Sequence, residues 1–131
     1  MIKAETKILV VEDEPFLLDL YQTKLLQEGY EIFVARNGAE GIEMAKSHLP
    51  DLILLDILMP KIDGYEMIKL IKADKNTKNI PVIIFSNLSQ KEEIEKGLKL
   101  GASDYIIKTS VTPTQLAAHV AIFLKKQKGK K

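Results

Sequence analysis

Five short runs of mostly branched apolar residues punctuate the chain: Ile8 to Val11, Ile32 to Ala35, Leu52 to Leu55, Val82 to Phe85 and Tyr105 to Ile107. Each is continuous where a half-exposed strand would alternate. Strands with apolar side chains in succession must be covered on both faces, the condition of a parallel sheet with helices above and below it. The intervening segments supply those helices. Ala39, Ile42, Ala45 and Leu49 recur at helical steps, Met67, Ile68 and Ile71 fit one helical face, and so do Leu116, Val120, Phe123 and Leu124. Ile94 and Leu98 mark a shorter, glycine-flanked helix, and a first helix runs from Pro15, suited to a first turn, to about Glu28 before Gly29. Parallel neighbours need crossover connections, so strand and helix repeated five times predict one doubly wound α/β domain.

With 131 residues, 46% of them hydrophobic, the chain has the length and the apolar content for one such core. Nineteen Lys plus Arg against eighteen Asp plus Glu give +1, so no overall basic field points to nucleic acid. Five of the lysines, Lys125, Lys126, Lys128, Lys130 and Lys131, lie at the C-terminus and leave residues 1–124 mildly acidic. We expect the folded domain to occupy residues 1–124 and residues 125–131 to be a solvated tail or linker. The absence of cysteine excludes disulfides, thiolate metal sites and cysteine nucleophiles. Met1 to Thr6 is too short and polar to begin a signal peptide, and no apolar run approaches the ~20 residues that span a bilayer. The expected location is cytoplasmic, without membrane contact.

In doubly wound sheets ligands bind beyond the carboxyl ends of the strands. Glu12 and Asp13 follow the first run, Asp56 the third, Ser86 the fourth and Lys108 the fifth. If the first, third, fourth and fifth strands lie side by side, these groups share one crevice. Three carboxylates together repel one another unless a pKa rises or a cation binds. Oxygen donors without Cys or His nearby favour a hard ion, Mg²⁺ above all. Mg²⁺ beside a lysine neutralises phosphoryl oxygens, and a carboxylate there can act as the nucleophile and become an aspartyl phosphate. Asp56, on the central strand, is the candidate.

These residues match a known pattern. Val10-Val11-Glu12-Asp13-Glu14-Pro15, Leu54-Leu55-Asp56-Ile57-Leu58-Met59-Pro60 with Asp63-Gly64, Ile84-Phe85-Ser86, and Gly101-Ala102-Ser103-Asp104-Tyr105-Ile106-Ile107-Lys108 follow in order on successive strands. In this the sequence resembles the receiver domain of two-component response regulators, from about Lys7 to Leu124. The resemblance implies a flavodoxin-like fold with strand order 2-1-3-4-5, and a phosphoryl group passed to Asp56 from a sensor histidine kinase or a histidine phosphotransfer protein. It implies Mg²⁺ held directly by Asp13 and Asp56, through water by Glu12, and by the main-chain carbonyl of Leu58. Ser86 would hydrogen-bond the phosphoryl group, Lys108 would pair with it, and Tyr105 would turn inward as the switch residue. The face of the fourth helix, fifth strand and fifth helix would then bind a downstream protein target, a phosphorylation-linked homodimer being left open. Such a domain is a signalling switch, not an enzyme.

A physical reason for switching stands beside the resemblance. A phosphoryl group adds ~1.5–2 negative charges and three acceptor oxygens, enough to draw in a hydroxyl and an ammonium. A tyrosine with an apolar ring and a polar tip can occupy either of two environments. Two positions depart from the family pattern. Thr109 follows Lys108 where a proline in a cis bond is usual, so the Lys108–Thr109 bond is either trans with a rearranged loop or cis at a cost. Asn87 follows Ser86 where Ala or Gly is usual, and a bulkier amide there is expected to modulate phosphodonor access or the hydrolytic water.

Other readings fit less well. A Mg²⁺-dependent phosphatase or mutase using a strand-end aspartate needs a second aspartate two residues on, where this chain has Leu58, and it has no cap insertion. A flavodoxin-like electron carrier needs hydroxyl and amide donors after the first strand, where Glu12-Asp13-Glu14 would repel its phosphate. A degenerate receiver acting as a phosphorylation-independent interaction module is the alternative nearest to the main reading. Met44, Met59 and Met67 read as packing residues, and His48 and His119 as structural or surface histidines.

Overall fold

Leu52, Ile53, Leu54 and Leu55 are at most 1% exposed, and this four-residue strand lies at the centre of the sheet. The computed structural model describes residues 6–59 and 62–129. The elements are β1 (Lys7–Val11), α1 (Pro15–Gln27), β2 (Glu31–Ala35), α2 (Gly38–His48), β3 (Leu52–Leu55), α3 (Gly64–Ala73), β4 (Val82–Ser86), α4 (Lys91–Leu100), β5 (Asp104–Ile107) and α5 (Pro113–Gly129). All pairings are parallel, and the order is β2-β1-β3-β4-β5. This is the flavodoxin-like arrangement expected above.

Successive side chains along a strand point to opposite faces, so each continuous apolar run feeds two cores. Ile8, Val10, Leu52, Leu54, Ile83 and Phe85 pack with Leu18, Tyr21 and Leu25 of α1 and with Leu116, Ala117 and Val120 of α5. Leu9, Val11, Ile53, Leu55, Val82 and Ile84 pack on the other face with Ala45 of α2 and Met67, Ile68 and Ile71 of α3. Each of the larger apolar side chains withdrawn from water in this way contributes about 1.5–3 kcal/mol. Met67 is fully buried, and Met44 and Met59 pack at the edge of the second core, as filler does. His48 stacks on Phe33 with ring centroids 4.0 Å apart.

Helix starts follow their caps. Glu14, Asn37 and Asp63 precede α1, α2 and α3, and each side chain accepts a main-chain N–H three residues on, at 2.9, 2.8 and 3.0 Å. The N–H of Gln90 donates to the Glu93 carboxylate at 3.0 Å before α4. The boundary expected after residue 124 falls inside α5, which runs on to Gly129. Lysine is a good helix former, so Lys125 and Lys126 extend the last helix with their side chains exposed; Lys130 and Lys131 lie outside the described residues. Among the described residues no helix is long and apolar enough to cross a membrane.

Candidate functional site

The strand order brings β1, β3, β4 and β5 together, so their carboxyl ends open on one crevice. Glu12 and Asp13 enter it from β1, Asp56 from β3, Ser86 from β4 and Lys108 from β5. One carboxylate oxygen each from Glu12, Asp13 and Asp56 lies within 4.8 Å of the others. Glu12 and Asp56 are buried, and Asp13 is exposed at the mouth.

Lys108 answers part of that charge. Its Nζ donates to Asp56 Oδ2 at 2.9 Å and also to Glu12 Oε1. It is 9% exposed, against 3% for Glu12 and 7% for Asp56, so these three charges are removed from water while Asp13 stays exposed. Burial pushes the Glu12 carboxyl above its ordinary value, with the Asp56 charge adding to the rise and Lys108 opposing it. Burial alone would lower the Lys108 ammonium, but its hydrogen bonds and charge contacts with Glu12 and Asp56 outweigh that and hold it above its usual range. Main-chain N–H groups complete the partners. Glu14 donates to Glu12 Oε2 at 3.1 Å and Leu58 to Asp56 Oδ1 at 3.3 Å.

The floor of the site is apolar. Lys108 Nζ lies 5.8 Å from the centre of the Phe85 ring, and Tyr21 meets that ring edge-on at 4.8 Å. Beneath Asp56, α3 begins so near the strand end that a Cβ on Gly64 would stand 2.6 Å from the Asp56 carbonyl oxygen and 2.7 Å from Ile57 Cα. Only glycine lets the helix approach that closely.

Ser86 is fully buried, and its Oγ accepts the N–H of Leu88 at 3.3 Å. The half-buried Tyr105 donates its hydroxyl to the carbonyl of Leu88 at 2.6 Å. One residue of the β4–α4 loop therefore ties the strand-end hydroxyl to the tyrosine. Burial, with Tyr65 and Glu93 nearby, pushes the Tyr105 hydroxyl up to about 12.

The model of the response regulator receiver domain matches residues 8–121. The chain belongs to the response regulator receiver family. Among relatives of this receiver, the alkaline phosphatase synthesis transcriptional regulatory protein PhoP of Bacillus subtilis is 37% identical over 122 residues, 92% of this chain and 49% of PhoP. The response regulator PleD of Caulobacter vibrioides is 39% identical over 102 residues, 78% of this chain and 22% of PleD. The receiver thus spans about half or less of these relatives. The crystal structure of a CheY-like receiver domain protein from Methanospirillum hungatei superposes with a TM-score of 0.87 at 29% identity, covering 96% of this chain and 98% of that one.

Receiver domains generally bind Mg²⁺ in an acidic pocket, and the donor set here fits that ion. One ammonium set against three clustered carboxylates leaves negative charge uncompensated, all donors are oxygen, and Asp13 keeps the mouth polar.

Both departures from the receiver pattern fall at this site, and they touch. No peptide bond among the described residues is cis, so Lys108–Thr109 is trans and enters a short 3-10 turn over Lys108–Ser110. Its N–H, which a proline would lack, donates to Asn87 Oδ1 at 3.1 Å. Sequence reasoning did not pair these residues, which lie far apart in the chain. It also passed over Tyr65, whose hydroxyl donates to the Glu93 carbonyl at 3.0 Å while Lys96 Nζ sits 4.3 Å above its ring. The available signal was an aromatic residue in the first turn of a helix beginning at Gly64.

Proposed function

We propose that this chain is a phosphoacceptor switch of a two-component system, with Asp56 as the residue phosphorylated. The supporting observation is the 2.9 Å contact of Lys108 Nζ with Asp56 Oδ2, beside two further carboxylates. A carboxylate oxygen of Asp56 attacks the phosphorus of a phosphohistidine on a sensor histidine kinase or histidine phosphotransfer protein. The new P–O bond forms as the P–N bond breaks, and the departing imidazole keeps the electron pair and is free to take up a proton. Glu12, Asp13, Asp56 and the main-chain carbonyl of Leu58 would hold Mg²⁺, which when bound supplies positive charge to the phosphoryl oxygens. Lys108 adds a fixed ammonium beside Asp56, and the apolar Phe85 ring near it strengthens that charge by keeping water away.

Once Asp56 carries a phosphoryl group, the Ser86 hydroxyl donates to one of its oxygens. Moving there loosens its bond with the Leu88 N–H, and Leu88 also holds Tyr105. Local charge thereby reaches α4, β5 and α5, the face proposed to bind a downstream protein. The chain is on this reading a cytoplasmic switch that is itself modified, not an enzyme with a separate substrate.

The test is intact-mass spectrometry of the full chain after incubation with acetyl phosphate and Mg²⁺. The reading expects a gain of one phosphoryl group, absent without Mg²⁺ and absent in Asp56→Ala. An unmodified wild-type mass would favour a phosphorylation-independent interaction module.

A further inference from the structure

Thr109 has a main-chain N–H to satisfy, and the group that satisfies it is the Asn87 side chain. The same peptide unit is held at its other end, because the Lys108 carbonyl accepts the N–H of Val111 at 3.4 Å. A peptide unit is planar, so tying both its N–H and its C=O removes its freedom to rotate as a plate. That rotation changes ψ of Lys108 and φ of Thr109 together. Turning the plate leaves Lys108 Cβ in place, so the bonds act on the side chain by another route: they hold the residue after Lys108 against the residue after β4 and keep the strand end that carries Lys108 from fraying beyond its last pair, Ser86 with Ile107.

Lysine is a compact charge on a flexible four-carbon stem. Such a stem delivers its ammonium accurately only from a fixed backbone. The strand register explains why Asn87 is the residue in reach: Ser86 pairs with Ile107, so the next residues on the two strands, Asn87 and Lys108, leave the sheet side by side. Both Asn87 and Thr109 are exposed, so their bond competes with water and its effect is modest.

From this geometry we infer that Asn87 is a positioning residue for phosphoryl transfer, its amide oxygen holding the trans Lys108–Thr109 peptide so that the Lys108 ammonium is aimed at Asp56. The Asn87 amide oxygen is engaged by the Thr109 N–H, so it acts through the backbone next to Lys108. The inference rests on the phosphoacceptor reading above. It also distinguishes the role from steric control of phosphodonor access, which would require no partner at Thr109.

The experiment is a double-mutant cycle of Asn87→Ala and Thr109→Pro in the full chain, joined to NMR of the unphosphorylated protein. At one pH, Asn87→Ala should speed exchange of the Thr109 amide hydrogen about fivefold, the size of one modest hydrogen bond, and should move the ¹⁵N resonance of the Lys108 ammonium. With acetyl phosphate and Mg²⁺, Asn87→Ala should lower the maximal rate of aspartyl phosphate formation by about fivefold in the wild-type background. In the Thr109→Pro background, which has no N–H at that position, the same substitution should change the rate little. An equal change in both backgrounds would overturn the inference in favour of donor access. An unmoved Lys108 resonance in Asn87→Ala would overturn it without reference to phosphorylation, and this measurement stands even if Thr109→Pro fails to fold. If the wild-type chain takes up no phosphoryl group, the phosphoacceptor reading fails, while the NMR comparison still decides whether Asn87 positions Lys108.

Discussion

Lys108 Nζ lies 2.9 Å from Asp56 Oδ2 although the two residues are 52 positions apart and β4 separates their strands. Lys108 is also the shared partner of Glu12. Replacing it with alanine would leave two buried carboxylates without a cation, and breaking a buried ion pair by removing one partner costs about 3–5 kcal/mol. We expect Lys108→Ala to lose about 3 kcal/mol of stability at neutral pH without divalent cations. The raised Glu12 pKa sets the sign of the pH dependence: Glu12 takes up a proton before an ordinary glutamate would, so the deficit shrinks as pH falls through its raised value. Urea unfolding of both proteins at neutral and mildly acidic pH measures this, and a deficit that grows on acidification would contradict it.

Mg²⁺ should stabilise the chain. A ligand binding only the folded state adds about 1.4 kcal/mol when its free concentration is tenfold above Kd. The rise in unfolding temperature with added Mg²⁺ should be largely lost in Asp13→Asn, because Asp13 is the exposed member of the carboxylate cluster. Equal shifts in the two proteins would remove Asp13 from the ligand set.

Tyr105 predicts an alkaline signature. Its hydroxyl is held neutral to about 12, against 10.0 for a free tyrosine. The unfolded chain therefore loses this proton first, so the stability associated with the neutral phenol is intact below pH 10 and is lost as pH rises towards 12. Tyr105→Phe should lose about 1 kcal/mol at neutral pH, from the missing bond to the Leu88 carbonyl. Above pH 10 its stability should fall less steeply than that of the wild type, by up to about 1.4 kcal/mol per pH unit. Parallel slopes would mean that Tyr105 is not protected.

Gly64→Ala should be costly out of proportion to its size. The added Cβ would meet the Asp56 carbonyl and Ile57 Cα, which are main-chain atoms unable to rotate aside. Overpacking of this kind costs about 1–3 kcal/mol, and the shift needed would move Asp56 itself. Thermal unfolding and the rate of phosphorylation by acetyl phosphate should therefore fall together, whereas a stable but fully reactive variant would refute the coupling.

The strands and most of the site were legible because the signals that specify them are local. Continuous branched runs report two covered faces, and the ends of those runs locate Glu12, Asp13, Asp56, Ser86 and Lys108. The bond between Asn87 and Thr109 was not legible, because it depends on strand register and on which way a peptide plane faces. Sequence could mark both residues as unusual but could not show that each supplies what the other lacks. Tyr65 was missed because an aromatic residue opening a helix reads as packing until its hydroxyl is found on the Glu93 carbonyl. The last helix ran past its expected end because the final lysines carry no apolar period, yet their intrinsic helix preference continues the turn already begun.

The most direct test of the central claim is reductive trapping of the phosphorylated chain. Borohydride converts an aspartyl phosphate to homoserine, which peptide sequencing by mass spectrometry then locates. Asp56 as the acceptor predicts homoserine at position 56 alone, formed only after exposure to phosphodonor and Mg²⁺. Homoserine at another aspartate, or a phosphoryl group that borohydride leaves in place, would contradict it.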